Sequence, residues 1–257
     1  MPKRDAIVIT GASSGIGAAF ARALASPDRT LGLLGRAPTR LEEVAAVCRS
    51  KGAACKTASI DVNDHAAMAE FLTAFESAHG MDLLISNAGI MLGRPRGGVL
   101  ESAVVAQSVL QTNVLAAIDA VHLALPGMQR RGRGEIVLMG SLSSLTPLPD
   151  APAYAASKAA ILSYGLALRE ALEPQGITVV VACPGYVSTP LLTRHRGARP
   201  GEIAADDAAA RILRGLDRNK SMIGFPWWLF WLSRLALLSP EPLRRWVTRF
   251  FRFDFVD

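Results

Sequence analysis

Short apolar, β-branched runs alternate with longer stretches in which apolar positions recur every three to four residues, and this alternation fills the first 190 residues. The runs at 6–10, 30–34, 54–59, 82–86, 135–140 and 178–182 predict strands, and the stretches at 16–25, 40–51, 64–78, 103–125 and 154–173 predict helices. Strands that alternate with helical crossovers describe βαβ units, hence an α/β fold with a doubly wound parallel sheet of the Rossmann type and helices on both faces. A helix at 206–216 and an apolar run at 221–226 bring the expected sheet to about seven strands. No internal repeat or low-complexity linker interrupts the chain, so one main unit, residues 1–224, is expected to be followed by an extension, residues 225–257.

The extension follows a different pattern. The 14 residues 225–238 are almost wholly apolar, but as a helix they would reach roughly 20 Å, short of a ~30 Å hydrocarbon core, and Arg234 interrupts them. Turned at ~100° per residue, 243–253 places Leu243, Trp246, Val247, Phe250, Phe251 and Phe253 on one face. Arg244, Arg245, Thr248, Arg249 and Arg252 fall on the other. Aromatics opposite cations of a single sign favour the boundary of an anionic membrane, and an aromatic contact between subunits is the competing expectation.

Composition sharpens this division. The chain is 50% hydrophobic and 19% charged over 257 residues, which excludes disordered and disulfide-stapled classes. The net charge of +6 would hint at nucleic acid, but residues 191–257 carry 12 Lys and Arg against 7 Asp and Glu, leaving the first 190 residues almost neutral. No nucleic-acid partner is expected. Three cysteines, none in a Cys-x-x-Cys pair, imply a reduced cytoplasmic setting, on the inner face of a membrane if the extension is interfacial. The apolar run at 6–9 is too short for a secretion signal, and four scattered histidines give no metal-ligand spacing, so no metal is expected.

Candidate chemistry begins where the first strand meets the first helix, at Thr10-Gly11-Ala12-Ser13-Ser14-Gly15-Ile16-Gly17. Glycines there let backbone approach a pyrophosphate, and the helix N-terminus behind them offers free N–H groups. The spacing Gly-x-x-x-Gly-x-Gly resembles that of the short-chain dehydrogenase/reductase family. Three further motifs carry the resemblance over residues 5–190: Ser86-Asn87-Ala88-Gly89 after the fourth strand, Asp61-Val62 after the third, and Pro184-Gly185-Tyr186-Val187-Ser188-Thr189 after the sixth. Ser86 departs from the family's Asn-Asn-Ala-Gly. The resemblance implies a nicotinamide cofactor held by Gly11, Ser13, Ser14, Gly15, Ile16, Gly17, Asp61, Val62, Asn87, Ala88, Gly89, Pro184, Gly185, Val187 and Thr189, in a protein that forms homo-oligomers. An NAD enzyme wants a carboxylate at the end of the second strand, whereas this chain reads Gly35-Arg36. That favours NADP(H), with Arg36, Ser13 and Ser14 as the expected ligands of the 2′-phosphate.

Tyr154-Ala155-Ala156-Ser157-Lys158 sets a phenol and an ammonium at i and i+4 on one helix face. A free phenol has a pKa of about 10, and a neighbouring cation is expected to lower it. In the family this pair is the acid/base and its helper, the lysine also holding the nicotinamide ribose, which makes Tyr154 and Lys158 cofactor-binding residues as well. Ser141 stands thirteen residues before Tyr154, at the spacing of the family's substrate-polarising serine; Gly140 replaces the usual preceding serine, and Ser143 and Ser144 are rivals. Asn113 matches the asparagine that anchors a water leading to the lysine. The implied activity is reduction of a ketone or aldehyde, with a lipophilic small-molecule carbonyl as substrate and Tyr154 as proton donor. Alcohol oxidation and a catalytically silent nucleotide sensor are the alternatives, the latter opposed by the intact Asn113, Ser141, Tyr154 and Lys158. Residues 190–205 would form a flap, and its Arg194, His195, Arg196 and Arg199 are read as a solvated charged loop.

Overall fold

The computed structural model describes residues 4–95, 97–192, 195–242 and 254–255. Seven parallel strands form one sheet: β1 (Ala6–Thr10), β2 (Thr30–Gly35), β3 (Ala54–Ser59), β4 (Leu83–Ser86), β5 (Gly134–Met139), β6 (Ile177–Pro184) and β7 (Met222–Phe225). Their spatial order is β7-β6-β5-β4-β1-β2-β3. β1 pairs with β2 on one side and with β4 on the other, so the direction of winding reverses between β1 and β4. A crevice opens at such a switch point beyond the carboxyl ends of the strands. The turns after β1 and β4, which carry the glycine-rich and Asn87-Ala88-Gly89 motifs, flank it.

Strands buried on both faces read as continuous apolar runs, and β1 shows why. Ile7 and Ile9 face a core with Phe20, Leu31, Leu33 and Ile212, while Ala6 and Val8 face another with Leu72, Phe75, Val121 and Ile136. The first core lies under α1 (Gly15–Leu24), α2 (Pro38–Ser50) and α7 (Ala205–Asp217). The second lies under α3 (His65–His79), α5 (Ala116–Arg131) and α6 (Pro152–Leu172). α2 starts two residues before the expected position because Pro38 occupies the first turn, where its missing N–H costs nothing.

The expected helix 103–125 is three pieces in one run: α4 (Ala103–Leu110), a π-helical segment Gln111–Leu115, and α5. It also passes through Pro126 to Arg131, where sequence alone ends it. Burial of Ala124, Leu125 and Met128 outweighs the one hydrogen bond that the proline removes, and Arg131 pins the end by pairing with Glu76 and donating to Met81 O at 2.6 Å.

After β7, Pro226 caps α8 (Trp227–Leu238), so the apolar helix starts two residues later than expected. α8 buries Leu229, Ser233 and Ala236, spaced i, i+4 and i+7, and exposes Trp227, Trp228, Trp231, Leu235 and Leu238. The amphipathic stretch 243–253 lies outside the described residues, as does Arg194. Beyond it, Asp254–Phe255 pairs antiparallel with His195–Arg196.

Candidate active site

The glycine-rich turn is built from close approaches that side chains would block. Gly11 and Gly15 have φ of +67° and +56°. A Cβ on Gly17 would stand 2.2 Å from Gly11 O, so the first turn of α1 lies directly against the loop. Asn87 holds the loop from the other side, its Nδ2 donating to Thr10 O at 3.0 Å and to Gly11 O at 3.3 Å. Thr10 Oγ1 returns the contact by accepting from the Asn87 and Ala88 N–H groups, each at 3.0 Å. The Ser14 side chain makes no capping bond, so the N–H groups of the first turn of α1 face the groove without it.

A groove of about 240 Å³ follows, lined by Gly11, Ser13, Ser14, Gly15, Ile16, Arg36, Asp61, Val62, Asn87, Ala88, Gly89 and Thr189. These are expected cofactor residues brought together in space. The narrow glycine turn and the unpartnered helix N-terminus fit a pyrophosphate, so the residues present fit a dinucleotide. Arg36 is 69% exposed and lies 3.7 Å from Asp61 Oδ2. Arg40 joins it at the groove and was missed in the sequence. A signal existed: a cation in the first turn of a helix opposes the macrodipole unless an anion sits nearby.

At Ile16, Asn87, Gly89, Ile90, Thr189 and Leu191 the groove merges with a second cavity of about 200 Å³. Pro184, Gly185 and Val187 line this second space together with Ser141, Tyr154 and Lys158. Thr189 is pressed against the glycine turn, where a Cβ on Gly15 would meet its Cγ2 at 3.1 Å. Gly17 and Asn113 line neither space; Gly17 serves packing, and Asn113 stands behind the wall.

Asn113 is 2% exposed and sits in the π-helical segment. Its Oδ1 accepts from Ile90 N at 2.8 Å, and its Nδ2 donates to Ile90 O at 2.9 Å and Ser157 Oγ at 3.0 Å. Ser157 Oγ in turn donates to Tyr154 O at 2.7 Å. The asparagine side chain thus ties the segment after β4 to α6, the helix of Tyr154 and Lys158.

Ser141 caps a single 3-10 turn, Leu142–Ser144, and its Oγ accepts from Ser143 N at 3.2 Å. Ser144 Oγ is engaged within the protein, accepting from Ser141 N at 3.2 Å and donating to Lys158 O at 2.8 Å. Ser143 lies beside the phenol with Ser141. Gly140 also has its reason, since a Cβ there would meet Cys183 Sγ at 3.1 Å and Ser144 Oγ at 3.3 Å.

The expectation that Lys158 lowers the Tyr154 pKa needs correction. Burial raises the phenol above its ordinary value, and the neighbouring Ser141 and Ser143 hydroxyls offset part of that rise. Lys158 Nζ donates to Met139 O at 2.8 Å and stands 5.7 Å from the phenol ring centroid. Both groups share one desolvated wall, which draws the ammonium down to about 8. A phenol held protonated beside two hydroxyls is equipped to donate a proton to an oxygen in the cavity.

Sequence reasoning also missed Glu101. The N-cap position of α6, Ala151, makes no side-chain cap, and Ala153 N donates instead to Glu101 Oε1 at 2.7 Å. This carboxylate is buried and caps the catalytic-candidate helix one residue before Tyr154. Nothing local marks it, because the two residues lie 52 positions apart.

A sequence profile described as short chain dehydrogenase matches residues 5–199. An uncharacterized oxidoreductase of Mycobacterium tuberculosis strain H37Rv is 33% identical over 250 residues, covering 94% of this chain and 96% of that protein. A short-chain dehydrogenase from Sphingobium yanoikuyae in complex with NADPH superposes with a TM-score of 0.79 at 27% identity, over 96% of each chain. One from Burkholderia phymatum in complex with NAD gives 0.84 at 25% identity, over 95% of this chain and 97% of that one.

Proposed function

Since the chain belongs to the short-chain dehydrogenase/reductase family of oxidoreductases, we propose that it is an NADPH-dependent reductase of lipophilic ketones or aldehydes, with Tyr154 as the proton donor. The observation that carries this reading is the position of Ser141, Tyr154 and Lys158 where a dinucleotide groove opens into an apolar cavity. The bound nicotinamide supplies the hydride. Gly11, Gly15, the N–H groups of α1, Asp61, Val62 and Asn87 hold the dinucleotide, with Arg36, Arg40, Ser13 and Ser14 around the 2′-phosphate.

Ser141 and Tyr154 donate hydrogen bonds to the substrate carbonyl oxygen, polarising it as negative charge develops there. Tyr154 then passes its proton to that oxygen, and the Ser141 and Ser143 hydroxyls beside the phenol favour the resulting phenolate. Purified protein with NADPH and a panel of neutral ketones tests the assignment: cofactor oxidation matched by alcohol formation is expected, and none with any carbonyl would overturn it.

We further infer that the exposed tryptophan face of α8 and the basic segment after it rest on an anionic membrane surface, on the cytoplasmic side. Trp227, Trp228 and Trp231 are exposed, and Arg244, Arg245, Arg249 and Arg252 follow with no acid among them. Homo-oligomer formation belongs to the same proposal, carried by Val104, Leu110 and Leu115, exposed along α4 to α5. Ending the chain after Gly224 would not isolate the membrane contribution, because α8 lines the cavity. Glutamates at Arg245, Arg249 and Arg252 are the cleaner test. Each basic residue near an anionic surface contributes about 1 kcal/mol, so the triple variant should lose binding to phosphatidylglycerol vesicles at low salt. If unaltered protein ignores such vesicles while the variant changes its mass in solution, the tail is a contact between subunits instead.

A further inference from the structure

Building on the reductase reading, we propose that α8 is the wall that selects the substrate, and that the selected class is neutral ketones with an extended apolar body whose far end packs against Leu229, Ser233 and Ala236. Ser141, Tyr154 and Lys158 line the cavity on one side, and α8 contributes Leu229, Leu232, Ser233 and Ala236 to its wall. Among the described residues lining it, Lys158 is the single charged side chain, and its ammonium is engaged with Met139 O. A carboxylate or phosphate on the body of the substrate would therefore be desolvated without a counter-charge from the described lining residues. An aliphatic or alicyclic body meets the apolar residues of α8 and the Leu148 and Met91 side of the cavity instead.

The wall is held in a fixed place relative to the chemistry. Leu229 packs with Leu142 and Leu145, one and four residues after Ser141. At the start of the helix Phe230 lies over Gly224, where a Cβ would meet its Cδ2 at 1.9 Å, so only glycine lets α8 settle this close to β7. With the helix anchored at that end, the room farther along is set by two small residues, Ser233 and Ala236, less than one turn apart. Side chains of leucine size there would fill the space that an extended substrate needs. The overall geometry makes length discrimination a property of α8 rather than of the residues around Tyr154.

The test compares methyl ketones of increasing chain length, with kcat/KM measured in NADPH for the unaltered protein, Ala236→Phe, and the opening variant Ser233→Gly. Ala236→Phe should lower the long-to-short ratio of kcat/KM at least tenfold, and Ser233→Gly should move the optimum to longer chains. NADPH titration verifies that each variant is folded, since the groove does not include α8. If ketones are reduced and both variants keep the length profile of the unaltered protein, the α8 proposal is wrong and the reductase reading survives. Calorimetric titration of a long-chain methyl ketone separates the reverse case. Binding that Ala236→Phe abolishes, in a protein that reduces no carbonyl, would sink the reductase reading and leave α8 as the wall of a binding site.

Discussion

Tyr154→Phe is expected to lower kcat for ketone reduction about 10³-fold or more while NADPH continues to bind. The substitution removes one oxygen, and with it both the acid and one of two donors to the carbonyl; a positioned acid contributes about 10²–10⁴-fold, and an oxyanion donor adds to that. The ring itself remains to pack with Val109 and Ala153, so the fold and the groove should be unaffected. Ser141→Ala, by contrast, leaves the acid in place and should cost less. Single-turnover rates with a reducible ketone, read beside a fluorescence titration of NADPH, separate chemistry from binding. A Phe variant that keeps most of its turnover would show that another group delivers the proton.

The second large effect is a change of cofactor. Arg36→Asp exchanges a guanidinium for a carboxylate at the end of β2, where a 2′-phosphate would be repelled and a free 2′-hydroxyl would find an acceptor. Losing a charge-assisted contact costs about 1.5–3 kcal/mol, and the exposure of Arg36 screens the added repulsion. The ratio of kcat/KM for NADPH over NADH should therefore fall about a hundredfold. Arg40→Ala should move the ratio in the same direction by less, since it removes a cation without adding an acid. Equal use of both cofactors by the unaltered protein would contradict the assignment of Arg36.

Much of this arrangement was legible before any coordinates, because it depends on local pattern. The strands of a doubly wound sheet are apolar on both faces, and the glycines that crowd Gly11 O and Thr189 had to be glycines, so both signals survive in one sequence. The spacing of Ser141, Tyr154 and Lys158 is likewise fixed by one strand end and one helix. What escaped depends on tertiary packing. The π-helical turn around Asn113 keeps the apolar rhythm of an ordinary helix, so its extra residue is invisible to periodicity. The helix runs past Pro126 because partners elsewhere hold it. Glu101 reaches α6 across the fold. The direction of the Tyr154 shift was misjudged because adjacency to a lysine can be read from sequence, whereas desolvation of both groups cannot. The inward face of α8 was hidden for a related reason: its small residues look unremarkable among tryptophans until the cavity behind them is seen.

The account turns on hydride delivery to a carbonyl carbon at the junction of the groove and the cavity. The direct measurement is a reaction of purified protein with a neutral methyl ketone and NADPH deuterated at the nicotinamide C4, followed by mass spectrometry of the product. The account predicts an alcohol of one configuration carrying deuterium on the carbinol carbon, formed by the unaltered protein and not by Tyr154→Phe. Deuterated NADPH that binds and is recovered unchanged, with no carbonyl among the ketones and aldehydes consumed, would contradict it.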